Sequence, residues 1–374
     1  MYDGVYYPQV VRLDATWRCN LNCKHCQTGM FRSPDHPEDM TDLDWQRLFR
    51  ELAFMGTSQI NFLGGEPLLR QNLPDHVASL RRLGITSDIT TNGILINEDI
   101  AKAFMEQQAV VTVSLDGASA ATHNFIRGHN TFERTIRAVH TIVEQQRHSL
   151  GGHTAISAVL NRNNVHEATE LIELALELGV NSLILASVHH VGNAKDHWDD
   201  LALNPETLYE AGVAVARRMS QGTRALNVRV NFFTAAFRNH LLKNRILAIP
   251  QEPQFDRASL FECYMQCDGR VYPSQKFSEM NPDILERAKT QGLRFERNDF
   301  RQSSFLEIWE GAEFEAYRAF TTSLQFLSSY EVCQHCQFAK TYCIPNAGSA
   351  IAGENTPQVI CNHLQALEEN YALI

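Results

Sequence analysis

Three thiols within eight residues are the most chemically loaded feature of this sequence: Cys19, Cys23 and Cys26, in Trp17-Arg18-Cys19-Asn20-Leu21-Asn22-Cys23-Lys24-His25-Cys26. Thiolate sulfur is the usual ligand of cluster iron, and three thiolates can wrap one face of a cubane. Three ligands for four irons leave one iron open to a substrate or cofactor, as a catalytic zinc site keeps one position free. Zinc is the competing chemistry. It needs a fourth ligand, for which His25 and His36 are nearby. A second group, Cys333 and Cys336 with Cys343 and Cys361, has four thiols, enough for a closed zinc or iron–sulfur site. Of the nine cysteines, Cys263 and Cys267 are then left over.

Something must hold the first loop in place, and the surrounding pattern predicts what. Over the first 190 residues, short β-branched runs alternate with amphipathic stretches. The runs Val10–Ala15, Gln59–Leu63, Asp88–Thr91, Val110–Leu115, Ile156–Leu160 and Leu183–Ser187 read as six strands of repeated βα units on a parallel sheet. Thr41 is the expected N-cap of a helix ending before Gly56. Asn164 to Gly179 reads as another helix, and Asn204-Pro205 opens a third. Six strands fall short of the eight of a closed barrel, which predicts an open partial barrel.

The cysteine loop directly follows the first of these strands, and other turns follow the next ones. Gly64-Gly65-Glu66-Pro67 comes after strand two: the glycines allow close backbone approach to a ligand, and Glu66 can accept from an ammonium. Thr90-Thr91-Asn92-Gly93 ends strand three and Ser114-Leu115-Asp116-Gly117 ends strand four, at the carboxyl ends where such sheets bind ligands. His189-His190 follow strand six and should face the same mouth. Beyond about residue 240 the regularity gives way to a proline-containing segment and six of the nine cysteines. The predicted organisation is therefore a barrel over 1–240 and a small cysteine-rich domain over 241–374.

Composition narrows the function classes. With 33 Lys and Arg against 43 Asp and Glu, the net charge of −10 argues against a surface that coats nucleic acid. No apolar run reaches the roughly 18–20 residues of a membrane helix, and residues 1–10 lack a secretory signal pattern. The expected compartment is the cytoplasm, where cysteines serve as ligands or reactive thiols rather than disulfides.

The CxxxCxxC loop resembles the signature of radical S-adenosylmethionine (SAM) enzymes, and the turns at Gly64-Gly65-Glu66, Asn92, Ser114 and Asp116 occur in that family's order. The resemblance implies SAM and a [4Fe-4S] cluster on Cys19, Cys23 and Cys26 as cofactors. It also implies SAM contacts from Gly64, Gly65, Glu66, Asn92, Ser114 and Asp116. Arg127 looks like the family's carboxylate-binding arginine, Arg134 is a second candidate, and His25 takes the aromatic position near the adenine. The reaction implied is one-electron cleavage of SAM to methionine and a 5′-deoxyadenosyl radical, which takes a hydrogen atom from a substrate C–H bond.

The C-terminal region resembles the SPASM domain found after many such barrels, through Phe305-Leu306-Glu307-Ile308-Trp309 and Cys267-Asp268-Gly269-Arg270-Val271-Tyr272-Pro273. Two all-cysteine auxiliary cubanes cannot be built from the six remaining thiols. Ser274 and Ala347 stand where the family has ligands of the inner cluster. One auxiliary [4Fe-4S] cluster is therefore expected, on Cys333, Cys336, Cys343 and Cys361, with a four-ligand site drawing on Cys263 or Cys267 as the alternative. Without an inner electron acceptor, redox-neutral outcomes such as epimerisation or decarboxylation gain weight beside oxidation. Cys263 or Cys267 would then be a hydrogen-atom donor. The expected substrate is a peptide or a sugar or antibiotic precursor, and the expected electron donor is a reductase with flavodoxin, or a ferredoxin. Only 18 residues precede Cys19, so no fused N-terminal peptide-recognition domain is expected. The alternative is a non-catalytic iron–sulfur carrier or a zinc-structured binding protein, which would not need the SAM-contacting turns.

Overall fold

Along the first strand, β1 (Val10–Thr16), Val11, Leu13 and Ala15 alternate with Arg12, Asp14 and Thr16. That period of two divides the residues between two faces. The apolar set joins the main hydrophobic core, together with residues of the covering helices such as Trp45, Leu48 and Phe49. The opposite face is polar. The same division recurs in β4, where Val111 and Val113 are core residues and Thr112 and Ser114 lie between them.

The computed structural model describes residues 7–29, 39–223, 226–247, 260–278, 281–323, 325–339, 351 and 359–371. Their strands are β1, β2 (Gln59–Gly64), β3 (Thr86–Thr91), β4 (Val110–Ser114), β5 (His153–Leu160), β6 (Ser182–Ser187), β7 (Asn227–Val230), β8 (Glu262–Met265) and β9 (Val271–Tyr272). They form one open sheet in the order β7-β6-β5-β4-β3-β2-β1-β8-β9. All neighbours pair in parallel except β8 and β9.

The expected six βα strands are β1 to β6, within an open parallel α/β sheet. Two more parallel strands flank them, which the periodicity did not reveal. Each is four residues long, too short to carry a pattern, and β8 reaches β1 only through tertiary pairing. Helix signals translate directly. Thr41 closes a capping box on α1 (Asp42–Phe54), Gly179 takes the left-handed conformation after Ala168–Leu178, and Asn204 caps Pro205–Ser220. Between β4 and β5 lie Ala120–Arg127 and Phe132–Arg147.

Beyond residue 241 the chain both extends this sheet and builds a second core. That core gathers Tyr272, Phe277, Phe295, Tyr317 and Tyr330, together with Trp17 from the cysteine loop. The last described helix, Val359–Tyr371, returns to the barrel and places Ile360 and Leu364 in the main core.

Candidate functional site

The loop carrying Cys19, Cys23 and Cys26 sits at the carboxyl end of β1, and turns after β2, β3 and β6, with the helix after β4, hold it. From β2, Gly64 accepts from the Thr28 hydroxyl at 3.3 Å. From β3, the Asn92 amide bonds Asn20 Oδ1 at 2.8 Å. The helix after β4 accepts the Lys24 N–H at the Ile126 carbonyl, 2.9 Å away. After β6, Asn193 donates its backbone N–H to the Cys26 carbonyl at 2.9 Å and its side-chain amide to the Cys23 carbonyl at 3.0 Å. Cys23 is buried, and Cys19 and Cys26 are partly exposed. Burial pushes the Cys23 thiol up to about 12, opposed chiefly by the nearby Arg127 cation.

Gly64 and Gly65 serve the chain's own backbone. A Cβ on Gly64, whose φ is +112°, would stand 2.3 Å from the Thr16 carbonyl oxygen, and one on Gly65 would stand 2.1 Å from that of Arg18. With no side chain on Gly64 or Gly65, the N–H groups of Gly65 and Glu66 reach those same carbonyls at 2.7 and 2.8 Å. The glycine turn is thereby zipped onto the start of the cysteine loop.

Glu66 is 1% exposed and its carboxylate is occupied within the protein. Oε1 accepts from the Leu68 N–H at 3.2 Å and the Thr91 hydroxyl at 2.7 Å, and Oε2 accepts from the Asn92 N–H at 2.9 Å. Burial raises its pKa, and these hydrogen bonds act against the rise. Glu66 thus ties the turns of β2 and β3 together.

Asp116 departs from expectation in the same way. At 0% exposure, it accepts from the Val159 N–H at 2.7 Å through Oδ1. Its Oδ2 takes both Arg127 Nε and, at 3.0 Å, His25 Nε2. Its backbone carbonyl receives the Asn164 amide at 2.7 Å. Burial opposes the charge, but Arg127 and His25 hold the carboxyl well below the usual range. Both carboxylate oxygens are thus engaged within the protein. His25 is correspondingly turned inward onto Asp116, its side chain 7% exposed.

Arg127, 9% exposed, is locked by Asp116 with Nη1 4.0 Å from Cys23 Sγ. Arg134 is exposed and makes no ion pair among the described residues. Ser114, 9% exposed, makes no side-chain hydrogen bond to a described residue. These two retain polar groups that a ligand can engage. His189 and His190 are exposed.

Cys263 and Cys267, the expected hydrogen-atom donor candidates, are both 0% exposed. Cys263 lies in the main core on β8 opposite Val11, and Cys267 lies in the second core with Tyr264 and Tyr272. Burial raises both thiols' pKa values.

In the second cysteine group, Cys333 and Cys336 flank one turn, and Cys361 sits on Val359–Tyr371, which contacts the helix Glu331–Gln334. Cys343 and Ala347 lie outside the described residues. Among the described residues no three His, Cys, Asp or Glu side chains are gathered closely enough for a single ion. The donor chemistry of the first loop, thiols alone on a clamped turn beside a buried cation, fits an iron–sulfur cluster.

Sequence reading passed over Asn193, Asn164 and Asp14. Asn193 carried one signal, its place in the loop after strand six. Asp14 is fully buried at the end of β1, accepting from Trp17 Nε1 at 2.9 Å and from the Tyr264 hydroxyl.

Comparison with known proteins agrees with this architecture. The radical SAM superfamily profile matches residues 15–175. The PqqA peptide cyclase of Xanthomonas campestris pv. campestris (strain B100) is 27% identical over 341 residues, covering 88% of this chain and 79% of the relative. The mycofactocin maturase MftC of Mycolicibacterium smegmatis is 30% identical over 227 residues, 59% of this chain and 55% of the relative. Among solved structures, Streptococcus suis SuiB bound to S-adenosylmethionine superposes with a TM-score of 0.70 at 17% identity, covering 94% of this chain and 76% of that one. Native anSMEcpe with bound AdoMet gives 0.67 at 18% identity, covering 97% of this chain and all of the other.

Proposed function

We propose that this chain, whose residues 15–175 match the radical SAM superfamily profile, is an enzyme that uses SAM and a [4Fe-4S] cluster, that it modifies a peptide and that Cys19, Cys23 and Cys26 hold the cluster. The observation that carries the assignment of ligands is the clamping of that one loop by turns from β2, β3 and β6 and by the helix after β4. The names of its relatives, a peptide cyclase and a maturase, support the substrate class. One electron supplied through the bound cluster cleaves SAM and so provides the radical that takes hydrogen from the substrate.

The chain's own residues divide the remaining work. Ser114 and Arg134 offer hydroxyl and guanidinium groups to SAM. Glu66, Asp116 and the Gly64-Gly65 turn fix the loop rather than the ligand. Cys333, Cys336, Cys343 and Cys361 hold one auxiliary cluster in a C-terminal unit spanning 241–374, after a barrel of 1–240. A ferredoxin, or a flavodoxin with its reductase, delivers the electron.

Anaerobic reconstitution with iron and sulfide tests the proposal. Under dithionite the wild type should convert SAM to 5′-deoxyadenosine, and the Cys19→Ala/Cys23→Ala/Cys26→Ala variant should not. Iron per chain should fall from about eight to about four if both sites hold cubanes. A triple variant that still cleaves SAM would overturn the assignment.

A further inference from the structure

We propose that Arg127 tunes the cluster: its guanidinium, aimed at the Cys23 sulfur, raises the reduction potential of the cluster held by the loop, and it is not the ligand of SAM's carboxylate. The inference rests on the assignment of Cys19, Cys23 and Cys26 made above. Its carrier is geometry. Arg127 sits at the end of the helix Ala120–Arg127, and the carbonyl of its neighbour Ile126 receives the Lys24 N–H from the cysteine loop at 2.9 Å. Helix end and loop therefore move as one piece.

The guanidinium has little freedom within that piece. Its Nε is bonded to Asp116 Oδ2, and its Nη1 lies 4.0 Å from Cys23 Sγ, within the looser range of N–H···S contacts. Asp116 is itself immobile, held by the Val159 N–H, by His25 and through its carbonyl by Asn164. Arg127 and Asp116 form a neutral pair overall, but the pair is a dipole with its positive end toward the sulfur. A reduced cluster carries one more negative charge than an oxidised one. A positive end fixed beside a ligand sulfur therefore favours the reduced form, and hydrogen bonds to cluster sulfurs act in the same direction. A guanidinium with five donors in a rigid fork suits two tasks at once, one edge on a carboxylate and one donor on a sulfur. A guanidinium pinned to Asp116 through Nε and held beside the Cys23 sulfur is poorly placed to grip the carboxylate of a diffusing cofactor. Arg134, exposed and without an ion pair among the described residues, is left open to a ligand.

The experiment is a potentiometric EPR titration of the anaerobically reconstituted full chain without SAM. It follows the signal that is missing in the Cys19→Ala/Cys23→Ala/Cys26→Ala variant. Arg127→Met should shift the midpoint to more negative potential while iron per chain stays at the wild-type value. Arg127→Lys keeps the charge without the fork and should fall between the two. Arg134→Met should leave the midpoint unchanged and weaken SAM binding by about tenfold, the loss of one charge-assisted contact. An unchanged midpoint in Arg127→Met, with SAM affinity lost, would return Arg127 to the carboxylate. A folded Arg127→Met chain that holds no iron at the loop would also overturn the proposal, in favour of a purely structural arginine. If the wild type shows no such signal at all, the assignment of the cluster ligands fails first, and the two failures are told apart.

Discussion

Glu66 and Asp14 are both carboxylates cut off from water, and they differ in how fully their oxygens are hydrogen-bonded. Glu66 receives three hydrogen bonds, two from backbone N–H groups. Glu66→Ala would leave those buried donors without an acceptor, at about 1–3 kcal/mol for each. The variant should unfold at lower denaturant and load less iron, and unchanged values of both would contradict the clamp. Asp14 receives Trp17 Nε1 and the Tyr264 hydroxyl on one oxygen, while its other oxygen is buried with no hydrogen-bond partner. Burial pushes its pKa from 3.8 up to about 7, with Asp268 adding repulsion and those two hydrogen bonds opposing. The folded chain thus binds this proton more tightly than the unfolded chain does. The associated stability is complete below about pH 3.8 and is lost as the pH climbs to about 7, by roughly a few kcal/mol. Asp14→Asn, which mimics the protonated acid, should flatten the dependence of urea unfolding on pH between 4 and 8. Parallel pH profiles for variant and wild type would refute the assignment.

At the scale of elements, the cysteine loop depends on turns that are far from it in sequence. Gly192, in the turn after β6, has φ +54°, and a Cβ there would stand 2.3 Å from the Cys26 carbonyl oxygen. Gly222 has φ +91° but open space around it. Both alanine variants carry backbone strain, but only Gly192→Ala should displace the loop. Iron per chain after reconstitution should drop in Gly192→Ala and hold in Gly222→Ala. Equal iron in the two would show that the turn after β6 does not position the thiols. The capping box of α1 is a purely local device by contrast. Thr41→Ala should cost about 1 kcal/mol in thermal unfolding and leave SAM cleavage intact.

At the scale of the whole molecule, two contacts tie the C-terminal region to the barrel besides the packing of Phe305–Trp309 on α1. The strands β8 and β9 extend the sheet from β1, and Val359–Tyr371 packs on the helices Pro205–Ser220 and Ala235–Lys243. Ile360 is fully buried at that second contact, so Ile360→Ala should destabilise the barrel itself by about 2–5 kcal/mol. Cys333→Ala/Cys336→Ala removes ligands rather than packing. It should lower iron to about four per chain while 5′-deoxyadenosine formation without substrate persists. Loss of that reaction would mean that the two ends of the chain share one redox centre.

Much of the candidate site was legible in the sequence because its signals are local. Three cysteines in eight residues, a Gly-Gly turn after a strand, and caps at Thr41, Gly179 and Asn204 depend on near neighbours along the chain. Burial and partnership are not local, and there only the tertiary structure decided. Glu66, Asp116 and Arg127 were rightly picked out as unusual, but whether a charged group meets a ligand or another residue depends on what folding brings against it. Cys263 and Cys267 look like spare reactive thiols until β8 is seen beside β1, which puts Cys263 opposite Val11 in the core. Asn193 bonds Cys23, 170 residues away, a distance over which no spacing rule extends. The strands β7 and β8 follow the same logic: four residues carry too little periodicity to declare themselves, and their pairing partners supply the rest. The kind of chemistry was set by residue types close together in the chain. The identity of the groups left over to meet a ligand was set by long-range packing, which consumes most of the polar atoms it buries.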